Sequence, residues 1–142
     1  MKPLIIASTL FALPMFATAQ ETSALNKVTG SWVTANGNAT IDISDCGDGT
    51  PCGVIANISL PAERGDLDIN NSDPALRDRP LVGAQMIWGF SERSGGWRSG
   101  KIYNAENGKT YGSSLKRAND GTLEVKGCLG PICRTQVWTP AE

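Results

Sequence analysis

The sequence predicts an all-β fold, an eight-stranded antiparallel up-and-down barrel, with a two-sheet β-sandwich as the alternative architecture. Turn residues recur at short intervals, and the runs between them alternate apolar and polar side chains as half-buried strands require. No run carries a convincing helical period. Consecutive hairpins favour a meander, and closing it into a barrel removes the exposed edges.

The first 19 residues stand apart from this pattern. "MKPLIIASTLFALPMFATA" has one lysine, an apolar stretch from Leu4 to Phe16 and the small-x-small ending Ala17-Thr18-Ala19, the form of a secretory signal peptide cut after Ala19. Its apolar core is shorter than the roughly 20 residues of a bilayer span, and no later stretch is long and apolar enough. No cysteine follows the cut for lipid attachment. We therefore expect an exported protein, periplasmic or secreted, with one domain over residues 20–142. Loss of Lys2 leaves 12 basic against 14 acidic side chains, net −2 and interspersed, without the basic patch of a nucleic-acid binder.

Strands are expected over residues 28–35, 39–45, 52–60, 81–90, 97–103, 109–117, 122–128 and 132–138. Asn36-Gly37, "CGDGTPC", Ser94-Gly95-Gly96, Asn107-Gly108, Asp120-Gly121 and Gly130-Pro131 separate them as hairpin turns, whose Asn, Asp or Gly takes positive φ at low cost. The clearest alternation is in "LVGAQMIWGF": Val82, Ala84, Met86, Trp88 and Phe90 share one face, and the other includes Gly83 and Gly89, which suit tight coiling.

Several motifs together identify a resemblance. Gly30 and Trp32 of "GSWVT" resemble the Gly-x-Trp that opens the first strand of lipocalins. "CGDGTPCGVI", Asp73-Pro74 with "LRDRPLVG", "GGWRSGKIYNAENGKTYGSSL", "LEVKGCLG" and a late tryptophan then follow in order. In this order the whole mature chain is similar to a family of small exported bacterial proteins, catalogued as a domain of unknown function, with a lipocalin-like barrel. The resemblance implies that fold and an envelope location, and no established activity. The tight "ANGN" turn departs from the long first loop of lipocalins. The late basic residue that lies across the first-strand tryptophan in lipocalins has Arg134 as its counterpart, a structural role together with Gly30 and Trp32.

Four cysteines allow three pairings. In the meander the second and seventh hairpins lie at opposite ends, about 20 Å apart, too far for a disulfide. The expected pairs are therefore local, Cys46 with Cys52 and Cys128 with Cys133, each contributing about 2 kcal/mol in the chain-entropy model. Redox chemistry and a four-cysteine metal site are the alternatives, and the spacings do not suit the latter.

There is no histidine, so Ser-His-Asp and Cys-His machinery is excluded and enzyme activity is left open, leaning against. No cofactor is expected, and no metal site. "DLDINNSD" begins like a calcium loop at Asp66, Asp68 and Asn70, but Asn71 stands where glycine is needed and Arg77 where a glutamate belongs. The segment from Pro61 to Pro80 exceeds ordinary loop length and carries Glu63, Asp66, Asp68, Asp73 and Asp78 with Arg64, Arg77 and Arg79. Either Arg77 or Arg79 pairs with an acidic neighbour and pins the loop, or the loop is a lid at the barrel mouth whose arginine contacts a polar head group.

The apolar stripe of the fourth strand is likewise either plain core or cavity wall. In the second case Val82, Met86, Trp88 and Phe90 line a ligand site, and Tyr103 and Tyr111 offer hydroxyls at the mouth. The function expected is binding of a small apolar or amphipathic ligand in the barrel. The alternatives are a filled barrel acting as an envelope structural or interaction module and a carboxylate-based enzyme.

Overall fold

The computed structural model describes residues 23–59 and 65–142; the expected signal peptide lies outside the described residues. The chain forms strands β1 (Gly30–Val33), β2 (Ala39–Asp45), β3 (Pro51–Ile58), β4 (Gln85–Trp88), β5 (Ser91–Arg93), β6 (Gly96–Asn104), β7 (Lys109–Arg117), β8 (Leu123–Leu129) and β9 (Ile132–Pro140). Neighbours pair antiparallel in the order β4-β3-β2-β1-β9-β8-β7-β6-β5, and an added β4–β6 pairing closes the sheet. Both β4 and β5 pair with β6, so they are one stave broken at Gly89-Phe90, and the closed barrel has eight staves. The two ends of the chain meet at a narrow seam, where β1 and β9 share only the pairs Trp32↔Pro140 and Val33↔Thr139.

Two details differ from the sequence reading. A helix, α1 (Ala24–Val28), precedes the first strand, capped by the Ser23 side chain, which accepts from the Asn26 N–H at 3.2 Å. Five residues are too few for a periodic signal, and the helix is held from outside. Trp32 donates its indole N–H to the Val28 carbonyl at 2.9 Å, and Trp97 donates to that of Ala24 at 3.1 Å. Together they fasten α1 across the barrel floor.

The second difference is the fourth strand. It begins at Gln85, because Leu81–Ala84 form a turn closed by the Ala84 N–H to the Leu81 carbonyl, with Gly83 at φ 89 where a type II turn requires glycine. Within β4, Gln85 pairs with Val54 while Ile87 pairs with Gly53, so Met86 is an extra, bulged residue. The bulge shifts the alternation. Ile87 enters the core in place of Trp88, and Val82, expected on the inner face, is 47% exposed. Phe90 is buried with its ring against Gly100, where a Cβ would collide with it.

Trp32, Ile41, Ile43, Trp97, Leu115, Leu123 and Trp138 fill the floor half of the barrel, beneath Ile55, Ile87 and Val125. The cysteines pair locally, Cys46 with Cys52 across the β2–β3 turn and Cys128 with Cys133 across the β8–β9 hairpin. One staple is therefore at the floor and the other at the mouth.

Candidate ligand cavity

The mouth half of the barrel is hollow because its inward positions are small. Register places Gly100, Ser113, Gly127 and Arg134 in one row across β6, β7, β8 and β9; Gly127 contributes no side chain there and Ser113 a short one, while the place at Gly100 is taken by the Phe90 ring. A cavity of about 490 Å³ results, within the size range of small-molecule sites. Ile55, Ile58, Leu81, Met86, Ile102 and Val125 form its apolar wall. The mouth turns add asparagines, among them Asn36, Asn38 and Asn107, and one carboxylate, Glu106, which is exposed.

On the other side of the cavity the polar groups are oriented by neighbours. Along β9 the side chains on the cavity side run from Ile132, exposed at the lip, through Arg134 and Gln136, both also exposed, down to the fully buried Trp138. Trp138 donates its indole N–H to the Gln136 Oε1 at 3.1 Å. An indole can only donate, so the Gln136 amide must present its NH2 elsewhere. On β7, the Tyr111 hydroxyl oxygen accepts from the Asn107 Nδ2 at 2.7 Å, and the Asn107 Oδ1 accepts from the Lys109 N–H at 3.0 Å. That backbone donor fixes the Asn107 orientation, and Tyr111 keeps its own proton available to donate. Ser113, 6% exposed and next inward on β7, has a hydroxyl with no hydrogen-bond partner among the described residues.

Arg134 makes no salt bridge among the described residues and does not lie across Trp32, as the sequence reading expected. Arg117 does, with its guanidinium carbon 4.6 Å from the ring centroid. The reason is position along the barrel. Trp32 is at the floor beside the end of β7, whereas Arg134 is two residues from the mouth hairpin. Gly30 opens β1 at φ 138, a backbone conformation that favours glycine.

The long loop goes to the outside wall. Its ends pair at Leu67↔Pro80, and its centre is the carboxylate of Asp68, 1% exposed. One Asp68 oxygen accepts from the Tyr103 hydroxyl at 2.5 Å. The other accepts from the Asn71 Nδ2 at 2.7 Å and the Arg79 Nε at 2.8 Å. The Arg79 guanidinium also lies 5.7 Å from the Tyr103 ring centroid. Burial, followed by the hydrogen bond to Asp68 and its negative charge, pushes the Tyr103 hydroxyl up to about 12.

Tyr103 lies between Ile102 and Asn104, which face the cavity, so its hydroxyl points to the outer wall while its edge reaches the rim. Asn70 ties the loop to the β6–β7 turn through the Glu106 carbonyl at 3.0 Å, and Arg77 donates to the Asn71 carbonyl at 2.8 Å. No residue from 65 to 80 lines the cavity, so the described loop is a buttress and not a lid. Between it and the wall runs a groove of about 300 Å³ in which Trp88 sits. Of the eight candidate ligand residues, Met86, Tyr103 and Tyr111 line the cavity. Phe90 is core, Trp88 faces the outer groove, Val82 faces solvent, and Arg77 and Arg79 serve the buttress.

Arg117, Gln136 and Ser113 were not singled out from the sequence. The inward stripe of β9 had a readable signal in its alternation up to Trp138. Among the described residues, no three carboxylate or thiol groups converge as metal ligands do.

A closed eight-stave meander, packed at the floor and hollow at the mouth, defines a lipocalin-like barrel. The fold is similar to that of protein HP1028 from Helicobacter pylori, described as belonging to the lipocalin family, with a TM-score of 0.68 at 20% identity over 80% of this chain and 82% of that one. The chain belongs to the family described as "Uncharacterized protein conserved in bacteria (DUF2147)", whose sequence pattern matches residues 30–140. No curated protein matches it.

Proposed function

We propose that this protein is an exported binding protein that holds a small amphipathic molecule in the mouth half of its barrel. The observation that carries the reading is the cavity itself: about 490 Å³, walled by aliphatic side chains and rimmed by amides, above a packed floor. The two local disulfides support an oxidising compartment. Native mass spectrometry of protein purified from its own envelope should reveal a copurifying small molecule. A lipid-probe displacement assay should lose its signal in Val125→Phe, which fills the cavity. Silence for the wild type in both assays refutes the reading.

A second reading, a surface interaction module, has one observation in its favour. Leu129 and Ile132 project from the stapled β8–β9 hairpin, the latter 71% exposed. Capture of a protein partner unaffected by Val125→Phe would favour it. A two-carboxylate enzyme has little support, since Glu106 is the one acid among the residues lining the cavity.

A further inference from the structure

We infer that the ligand carries an anionic head group, a carboxylate on an apolar chain, and that Arg134 is its anchor. The inference rests on the binding reading above and adds the ligand's charge and orientation. Its basis is the way hydrogen-bonding capacity is distributed around the mouth of the barrel, where Tyr111 is half-buried and Arg134 and Gln136 are exposed. Arg134 is the one cationic side chain lining the cavity and makes no salt bridge among the described residues. Arg134 is exposed to water at the mouth, and a carboxylate is the partner whose two acceptor oxygens match its planar fork of donors.

The groups beside it are donors as well, and not by choice of rotamer. Trp138 occupies the Gln136 oxygen, leaving the amide NH2 to point onward. Asn107 occupies an acceptor site of the Tyr111 oxygen, leaving the O–H proton to donate. Arg134, Gln136 and Tyr111 thus present a cation and two neutral donors on strands β9 and β7. Between these strands, β8 contributes Gly127, whose missing side chain leaves the gap open. The two strands flanking β8 are about 10 Å apart, a gap that long side chains reaching from both sides leave wide enough for a carboxylate.

The apolar wall of Ile55, Ile58, Leu81 and Met86 comes from the opposite arc of the barrel. A chain lying against it would extend away from its head group. Glu106 is the group that opposes this arrangement. It stands on the β6–β7 turn at the rim, exposed to water that screens it.

Isothermal titration with three ten-carbon probes tests this: decanoate, decanol and decyltrimethylammonium, on the wild type, Arg134→Gln and Glu106→Gln. The expected result is that decanoate binds at least tenfold more tightly than decanol, and that Arg134→Gln abolishes this preference while leaving decanol affinity unchanged. Glu106→Gln should tighten decanoate binding a few-fold. Circular dichroism and the melting temperature of Arg134→Gln, compared with wild type, establish that the variant is folded. If it does not fold, Arg134→Lys serves, and should weaken decanoate binding severalfold by losing the two-pronged contact.

Equal binding of decanoate and decanol, a preference for the cation, or a folded Arg134 variant with unchanged decanoate affinity overturns the anionic head group and leaves the cavity reading standing. Failure of all three probes to bind the wild type overturns both.

Discussion

Asp68→Asn is the substitution that bears hardest on the architecture of the long loop. The carboxylate accepts three hydrogen bonds, from Tyr103, Asn71 and Arg79, at 2.5, 2.7 and 2.8 Å. An asparagine keeps the shape but turns an NH2 toward donors and removes the charge that Arg79 faces. Removing one partner of a buried ion pair costs about 3–5 kcal/mol. The Arg79 side chain is 32% exposed and can rehydrate, so the lower end applies, about 3 kcal/mol. For a domain of ordinary stability, about 5–15 kcal/mol, that is roughly a fifth to three fifths of the total.

Urea unfolding followed by tryptophan fluorescence reads the global loss, and trypsin cleavage after Arg77 reads release of the loop, the bond after Arg79 being closed to trypsin by Pro80. Ligand affinity should be unchanged, since no residue of the described loop lines the cavity. A loss below about 0.5 kcal/mol with trypsin resistance intact would refute the network as the loop's fastening. An altered affinity would restore the loop to the binding site.

Four further outcomes are expected. Ser113→Ala should leave stability unchanged or raise it by up to about 1 kcal/mol in thermal melts, because it removes a buried hydroxyl without a partner. Tyr103→Phe tests alkaline stability. The folded hydroxyl stands at about 12 against about 10 when unfolded, so its contribution is complete below pH 10 and is lost as pH rises toward 12. The wild type should accordingly lose more than Tyr103→Phe between pH 9 and 12 in parallel urea titrations, by about 1 kcal/mol once solvent screening is allowed for. Cys128→Ser with Cys133→Ser should lower stability by about 2 kcal/mol and speed hydrogen exchange at the mouth hairpin. Arg117→Met should cost about 1 kcal/mol through the lost contact with the Trp32 ring, with ligand affinity untouched.

Much of the fold was legible because strand alternation and turn chemistry agree along the chain. The turns at Asn36-Gly37, Asn107-Gly108 and Asp120-Gly121 fall where the structure has them, and the meander's ends gave the disulfide pairs by distance alone. Legibility failed where one inserted residue changes the outcome. The bulge at Met86 reverses which side of β4 faces inward, and no sequence period reports a register slip against β3. That single residue sent Trp88 outward and Ile87 inward. The floor arginine was misassigned for a similar reason. Arg117 and Arg134 each stand on an inward position, and only their height in the barrel tells which one meets Trp32. One loop arginine, Arg79, pairs with an acid as one of the two readings had it, while Arg77 meets only a backbone carbonyl, and choosing Asp68 among five acids required knowing that Tyr103 turns outward beneath it.

The narrow seam between β1 and β9 has a consequence for folding kinetics. Apart from β3 and β4, which the long loop joins, every other pair of staves is close in sequence and can form as soon as its turn closes. The seam instead joins Val33 to Thr139, more than a hundred residues apart, and gains two residue pairs for the largest loop closure in the chain. It should form last in refolding and exchange its amide protons first among the strands. Trimming the chain after Val137 would then leave an open, curled sheet with two bare edges, prone to pairing with its own kind.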